Sequence, residues 1–592
     1  MRTFIADFET TTTEKNCHVW AWALCEVDDL DNVYIGTDIY EFMDMCEQLR
    51  DNLRVYFHNL KFDGQFIISW LFQNDFQLVT DSRDRATKTF KTMISDEGLY
   101  YAIEVIFYKK GKNIKKVTFY DSMKLLPMSV EKIANSFHLP MKKGKINYEA
   151  HNDLPYGSPL TEEEKDYIIG DVKIVAHAIG YFQSQGLDRI TIGSCAMSEY
   201  KKLIGQRAFD RLFPVLHHHD DIKQSYRGGF TYVNPKFAGK TMGNGVVLDV
   251  NSLFPWVMRT KLLPHGTPIF YRGKYEPDEL YPLYTQMLTC QFDLKPGKIP
   301  TIQNRRFGSS EYITSSDDED VTLCLNSVDL ELFLDNYEVS NLVWHSGWKF
   351  MGSTGLFDEF IDKWSAIKIQ ARKDENWGLY MIAKLFLNSL YGKFGTSRTR
   401  RSKIPYMDGD VVAYKDTDPE QTDGVYVAMA SFITSYAREK TIRAAQKICD
   451  DYEAGRSKIQ FCYADTDSLH CISEDHSLPD GLDIDPYRLG AWKHESTFDR
   501  AKFLRSKCYI ENEVITEKEY NEGIAGDHDV LYSKVKDGFR RLKITVAGMP
   551  EECHNQVTFS NFRINAQYYG KKTPKIVPGG VVLTTIDFTI KR

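Results

Sequence analysis

The sequence predicts a multidomain α/β protein, on three observations. Its 592 residues exceed what one hydrophobic core sustains, so several domains are expected. The first third of the chain alternates strand-like with helix-like stretches. The acidic residues in chemically suggestive patterns form two separate groups, one in that first third and one between Asp249 and Asp467.

The segment Phe4-Ile5-Ala6-Asp7-Phe8-Glu9 reads as a strand, and a period of two places Asp7 and Glu9 on one face. Alone, an Asp-x-Glu pair is a weak signal that chance explains. Tyr56-Phe57-His58-Asn59-Leu60-Lys61-Phe62-Asp63 then leads into the apolar-rich Phe66 to Leu71. Thr161 opens a helix with Glu164 three residues on, a capping-box pattern, and that helix sets Tyr167 and Asp171 four apart on one face. Together these segments supply four carboxylates and a phenol.

In Gly245 to Pro255 a short apolar run of strand type delivers Asp249 at its end, and Pro255 stops continuation into a ladder. Ala383 to Lys393, as a helix, places Lys384, Asn388 and Tyr391 on one face with Leu385, Leu387 and Leu390 turned elsewhere. A cation, an amide and an aromatic suit a triphosphate and its base. The alternative is a surface helix with one lysine, but Tyr and Asn have no packing reason on a solvent face. Ile459, Phe461 and Tyr463 alternate before the Asp465-Thr466-Asp467 turn, and Leu469 and Cys471 after it, so the stretch reads as a β-hairpin. Two carboxylates that close are tolerable when a divalent cation neutralises them, which makes this a candidate Mg²⁺ site for phosphoryl chemistry. A solvated turn is the alternative for the tripeptide alone. Asp249 facing that hairpin is what two-metal phosphoryl transfer needs.

The net charge of −8 argues against a DNA binder, yet Lys109 to Lys116, Lys142 to Lys145, Arg398 to Lys403 and Arg540 to Lys543 are local basic clusters, and phosphate binding depends on local charge. Each cluster singly is also the pattern of a solvated face. Eleven cysteines without Cys-x-x-Cys spacing point to reduced thiols. No run reaches membrane-span length and the start lacks a signal-peptide core, so no membrane partner and a cytoplasmic location are expected. The acidic run Ser315 to Asp320 reads as a mobile loop, and Gly395 to Val427 as a polar, basic hairpin with little apolar surface to pack.

These motifs resemble family B DNA polymerases, whose palm motifs take the forms DxxSLYP, with Phe254 here where Tyr is usual, and YxDTDS. The resemblance implies that Asp249, Asp465 and Asp467, with the Val250 carbonyl nearby, hold two Mg²⁺, for which Mn²⁺ substitutes. Lys384 on the fingers helix would bind the incoming dNTP, Asn388 and Tyr391 line the nascent base pair, and Phe254 block a ribose 2′-hydroxyl. Lys368, Arg372 and Lys373 remain open as helpers of Lys384, and Tyr380 stands where a lysine is expected. The first acidic group resembles the ribonuclease H-like 3′–5′ proofreading exonuclease of the same enzymes. There Asp7, Glu9, Asp63 and Asp171 would hold two metals, Tyr167 orient the attacking water, and Lys143 support them, Lys145 and Asn147 standing where acidic residues are usual. His58, Asn59, Phe62, Ser122 and Met123 match residues that grip the single-stranded 3′ end, Phe62 being apt for stacking.

Tyr226-Arg227-Gly228-Gly229, Thr434 to Arg438, Lys507-Cys508-Tyr509, His494 to Phe498 and Pro578 to Leu583 resemble the protein-primed phage subgroup of the phi-twenty-nine type. In it Tyr226, Gly228, Gly229, Thr434, Arg438, Lys507 and Tyr509 contact primer-template DNA. The resemblance implies an exonuclease domain over 1–189 and a right-hand polymerase: palm over 190–260 and 428–540, fingers over 359–394, thumb over 541–592. Two insertions complete it, 261–358 to contact a terminal protein primer and 395–427 for processivity and strand displacement. The expectation is a monomeric, protein-primed replicative DNA polymerase with proofreading, copying a linear viral genome. An RNA-templated nucleotidyl transferase and a silent DNA-binding protein are the competing readings; the proofreading set speaks against the first and the complete carboxylate set against the second.

Overall fold

The structure is a computed structural model and describes residues 1–144, 146–303, 311–526 and 530–591, so Lys145 lies outside the described residues. Arg2–Thr10 pairs antiparallel with Val19–Glu26 and parallel with Leu53–Phe57. It lies inside an eight-stranded sheet ordered Asp29–Gly36, Val19–Glu26, Arg2–Thr10, Leu53–Phe57, Asn113–Asp121, Tyr100–Lys110, Thr89–Ile94, Gln77–Leu78. Both faces of the central strands are covered, which is why they read as near-continuous apolar runs. The helix Glu162–Ser184 lies against one face, started by the predicted capping box, in which the Glu164 backbone N–H donates to Thr161 Oγ1 at 3.3 Å and the Thr161 N–H to Glu164 Oε2 at 2.8 Å.

The second large sheet runs Leu531–Val535, Gly538–Val546, Cys508–Ile515, Trp492–Arg505, Gly245–Val250, Ser468–Ile472, Gln460–Asp465, Thr231–Val233. Its middle is the predicted hairpin, in which Asp465 pairs with Ser468 and the turn is made by Thr466, with φ 62°, and Asp467. The long helix Val427–Glu453 packs behind it, with Ala428, Ala430, Ala437, Ala444 and Ala445 buried where small side chains permit close approach. The antiparallel pair Asp358–Lys373 and Trp377–Phe394 stands beside them. A four-stranded sheet, ordered Leu263–Arg272, Tyr337–Ser353, Leu283–Leu294, Val321–Asn326, fills most of the interval after Asp249.

Three sequence expectations change. The strand carrying Asp249 ends at Val250, before Pro255, because Ser252 adopts a left-handed conformation and a helix begins at Leu253. Pro255 sits in the first turn of that helix, where a missing N–H costs no hydrogen bond. The acidic run is pinned: Ser316 is buried, Phe292 donates its N–H to Ser316 Oγ at 3.0 Å, and Ser316 donates its own to the Phe292 carbonyl at 2.8 Å. The basic hairpin, Lys403–Asp408 with Val411–Asp416, has a packed apolar face. Val412 is buried in one cluster with Phe90, Tyr100 and Ile103 of the N-terminal sheet. Tyr100 donates to the Tyr414 hydroxyl, Tyr414 donates to Gln65 Oε1 at 2.7 Å, and Gln65 Nε2 donates back to Tyr100 at 2.7 Å.

Much of the basic charge is also neutralised within the chain. Lys116 meets Glu104 at 3.5 Å, Arg540 meets Asp499 at 2.5 Å, and Arg541 meets Glu513 at 2.5 Å. Lys115 donates to the Leu49 and Asp51 carbonyls.

Candidate active sites

In the N-terminal unit, Asp7 and Glu9 project from one face of the first strand, Asp63 from the first turn of the helix Leu60–Gln73, and Asp171 from the helix Glu162–Ser184. The four are close enough to perturb one another. Burial, then Asp171, pushes the Asp7 carboxyl up to about 7, partly offset by Lys143. Burial and Asp7 raise Glu9 and Asp63 well above the usual carboxylate range, and burial raises Asp171. Lys143 Nζ lies 3.6 Å from Asp171 Oδ2, so the expected supporting lysine is in place. The Tyr167 hydroxyl sits 3.1 Å from that of Tyr148, and burial with Glu9 and Asp171 pushes the phenol up. A 300 Å³ cleft opens here, lined among others by Asp7, His58, Met123, Lys143 and Asp171.

Asp63 Oδ1 and Asp171 Oδ1 are buried without a hydrogen-bond partner. Unpartnered carboxylate oxygens among mutually repelling acids suit hard divalent cations, which take oxygen ligands. Among the described residues no three such side chains already enclose a common point. The fit therefore rests on donor chemistry and on those orphaned oxygens.

Of the residues expected to grip a DNA end, Asn59 is exposed with φ 86° and Phe62 is half-buried against Phe66. Ser122 is fully buried and donates to the Phe57 carbonyl at 3.1 Å. Its Oγ is 2.9 Å from His58 Nδ1, while His58 Nε2 lies 2.7 Å from the Met128 carbonyl. The sequence reading passed over Asp121, whose Oδ1 accepts the backbone N–H groups of Asn59 at 3.2 Å and Met123 at 3.0 Å. One buried carboxylate thus ties together the two loops on which those residues stand.

At the second site, Asp249 pairs in register with Ser468, and Val250 donates its N–H to the Asp467 carbonyl at 2.8 Å, so the two acidic motifs are joined through the sheet. Burial, then Asp467, pushes the Asp249 carboxyl up to about 7, and burial raises Asp467. Asp465 is held by Lys507 at 2.6 Å and accepts from the Tyr463 hydroxyl at 3.3 Å. A 440 Å³ pocket is lined by these three acids with Lys507, Tyr509 and Lys543, among others. Their crowded oxygens, with Asp249 and Asp467 both raised, suit divalent cations in the same way.

Above the acids, Phe254 stacks on Tyr391 with centroids 3.9 Å apart and planes 18° off parallel. Lys384 and Asn388 are exposed on the same helix face, while Leu387 and Leu390 are buried. Lys368 is half-buried, and its pKa is lowered by burial, then by the charges of Lys384, Lys493 and Arg372.

Two of the residues expected to contact DNA lie beneath the surface. Thr434 and Arg438 are each 2 % exposed. Arg438 donates to Asp329 at 2.5 Å, to the Arg227 carbonyl at 2.8 Å and to the Gly228 carbonyl, while Thr434 donates to the Ala430 and Ser431 carbonyls. Arg438 braces the Tyr226–Gly229 segment through the Arg227 and Gly228 carbonyls, while the Thr434 hydroxyl is held within its own helix. Gly228 has open space where a Cβ would stand, whereas at Gly229 a Cβ would come 2.7 Å from Thr466 Oγ1, so the second glycine admits the acidic turn. A Cβ on Gly395 would come 2.7 Å from the Tyr226 hydroxyl, so that tyrosine meets the end of the helix Trp377–Phe394. Tyr509 is buried beside Tyr463 and Phe503, and Lys507 of that pair meets Asp465. The reading also missed His470 and Glu511, both buried, with Nδ1 and Oε1 2.6 Å apart, and His470 Nε2 3.1 Å from Ser468 Oγ beside the turn. A histidine among apolar strand residues was the one signal.

Residues 45–157 and 155–480 match the family described as DNA polymerase type B, organellar and viral. The chain is 41% identical to the DNA polymerase of Bacillus phage phi29 over 596 residues, 99% of each chain. It is 32% identical to that of Streptococcus phage Cp-1 over 615 residues, 99% of this chain and 98% of the relative. Its fold matches Phi29 DNA polymerase complexed with primer-template DNA at a TM-score of 0.90 and 39% identity, and the same enzyme with primer-template DNA and incoming nucleotide substrates at 0.89 and 40%, each over 100% of both chains. This chain belongs to the type B DNA polymerases, among the phi29-related phage enzymes.

Proposed function

We propose that this DNA polymerase runs two separate reactions, nucleotide addition at Asp249, Asp465 and Asp467 and 3′–5′ removal of mispaired nucleotides at Asp7, Glu9, Asp63 and Asp171. The observation that carries the first is the register that sets Asp249 beside the Asp465–Asp467 turn beneath the Phe254–Tyr391 stack. Two Mg²⁺ at each set, or Mn²⁺ in their place, would neutralise the acids and polarise the phosphate oxygens at which bonds form and break.

The chain's own groups do the rest. Lys384, with Lys368 and Arg372 beside it, offsets the charge of the dNTP; Asn388 and Tyr391 bound the nascent base pair; Phe254 closes the space of a ribose 2′-hydroxyl. Lys507, already on Asp465, is placed to hold the primer terminus, whose 3′-hydroxyl attacks the α-phosphate. Catalysis is then mainly positioning and electrostatics. At the N-terminal site Tyr167 orients the attacking water, and Lys143 counters the charge of the acids and of the scissile phosphate.

The same reading takes replication to start on a hydroxyl of a terminal protein bound by residues 261–358. It assigns strand displacement and processivity to residues 395–427. It takes the working species as a monomer on primer-template DNA. Among the described residues no helix is long and apolar enough to cross a membrane. The test is separability. Asp249→Asn should stop primer extension and spare degradation of single-stranded DNA, while Asp7→Asn with Asp63→Asn should do the reverse. Parallel loss of both activities in either variant, with the fold intact, refutes the two-site reading.

A further inference from the structure

Resting on that reading of the second site, we propose that Lys493 is a further binding residue for the triphosphate of the incoming nucleotide, supplying from the palm sheet the positive charge that Tyr380 does not supply on the fingers helix.

Lys493 sits on Trp492–Arg505, directly opposite Asp249 in the antiparallel register. Its Nζ lies 3.9 Å from Asp249 Oδ1 and 2.6 Å from Glu495 Oε2, with the side chain about one-third exposed. It acts electrostatically on groups of both walls, on Asp249 and Asp467 below and on Lys368 of the fingers. Its ammonium therefore stands beside the acid that would hold a metal and within electrostatic reach of the fingers cations, as a group meeting a triphosphate held between them would. Tyr380, by contrast, is spent on an edge-to-face contact with Trp377 at 5.9 Å and brings no charge.

An ordinary half-exposed pair with Glu495 is the competing account. Such pairs contribute little to stability, so it gives Lys493 no work to do. The long lysine stem lets the ammonium leave Asp249 once that carboxylate is engaged elsewhere and turn to a non-bridging phosphate oxygen. Lysine binds phosphate as a point charge, so an arginine should replace it in part and a methionine of similar length should not.

The experiment is steady-state single-nucleotide addition by the full chain carrying Lys493→Met, Lys493→Arg, and Lys493→Met with Tyr380→Lys. Loss of one charge-assisted contact should raise KM for the dNTP by about tenfold or more in Lys493→Met with kcat changed far less. Lys493→Arg should keep most of the affinity, and Tyr380→Lys should restore it in the methionine background. Degradation of single-stranded DNA by the same preparations reports that the fold is intact. An unchanged KM, or a fall in kcat alone, overturns the proposal, because the lysine then only positions Asp249. Failure of Tyr380→Lys to restore KM overturns the exchange of places. An Asp249→Asn chain that still extends primers would instead sink the underlying reading of the site, a separate outcome.

Discussion

Replacing Asp7 by asparagine should stabilise the metal-free chain in alkaline solution. Burial and Asp171 raise this carboxyl from 3.8 to about 7 in the folded chain, which therefore holds the proton more tightly than the unfolded one. The stabilisation from that group is complete below the unfolded value and is lost as pH climbs through about 7. Above it, an ionised Asp7 costs the folded state up to about 4 kcal/mol, from a difference of about three pH units at about 1.4 kcal/mol each. Because Glu9, Asp63 and Asp171 share the repulsion, about half of that is a fair expectation for one substitution. About 2 kcal/mol moves the transition of a unit this size by roughly 4–8 °C. Asparagine keeps the volume and removes the charge. Thermal unfolding with a chelator present, followed through the N-terminal transition, should show Asp7→Asn melting higher at about pH 8 and the gain fading towards about pH 4. Added Mg²⁺ should then raise the wild-type transition more than that of the variant, since binding to the folded state alone stabilises it. A variant that melts lower than wild type at about pH 8 in chelator would refute the idea that these acids repel one another.

Three further outcomes are expected. Phe254→Val removes the ring stacked on Tyr391 and should raise the ribonucleotide-to-deoxyribonucleotide incorporation ratio by at least about tenfold, read from competing single-nucleotide additions; an unchanged ratio puts the gate elsewhere. Arg438→Met leaves Asp329 buried without its partner and should cost about 3–5 kcal/mol in denaturant unfolding, whereas a surface DNA contact would change only affinity. Arg400→Ser with Arg401→Ser should shorten products under single-encounter conditions, increasingly so at higher salt, and Val412→Asp should do the same by undocking the hairpin; full-length products from both would clear the hairpin of any role in processivity.

Where function is written in local patterns, the sequence was legible. The Asp-Thr-Asp hairpin, the capping box at Thr161, and the face shared by Lys384, Asn388 and Tyr391 all depend on spacing within a few residues, and all stand as read. What the local patterns hid depends on partners from 24 to more than two hundred residues away. Arg438 turns its terminal nitrogens to Asp329, Ser435 and the Arg227 and Gly228 carbonyls, partners that no local pattern shows. Ser316 looks mobile until Phe292 is placed beside it, and Val412 looks like an edge residue until the N-terminal sheet closes over it. Asp121 carried no pattern of its own, since one aspartate accepting two loop N–H groups leaves no periodic trace.

The N-terminal sheet unit is finished by the far end of the chain. Gly580 lies so close to the Phe66 ring that a Cβ there would come within 2.2 Å of it, Val581 is buried in the same cluster, and Lys575 meets Glu14 at 2.6 Å. During synthesis the first domain therefore leaves the ribosome with an apolar hollow around Phe66 uncovered. Nearly four hundred residues must follow before its last neighbour arrives, roughly 20–80 s at translation speeds of about 5–20 residues per second. The hairpin bearing Val412 comes first and the C-terminal hairpin last, so the early domain has to hold its shape without either. Order of birth thus leaves the joining of the two ends as the closing event of folding, and a chain that stalls short of residue 581 presents that hollow to whatever else is near.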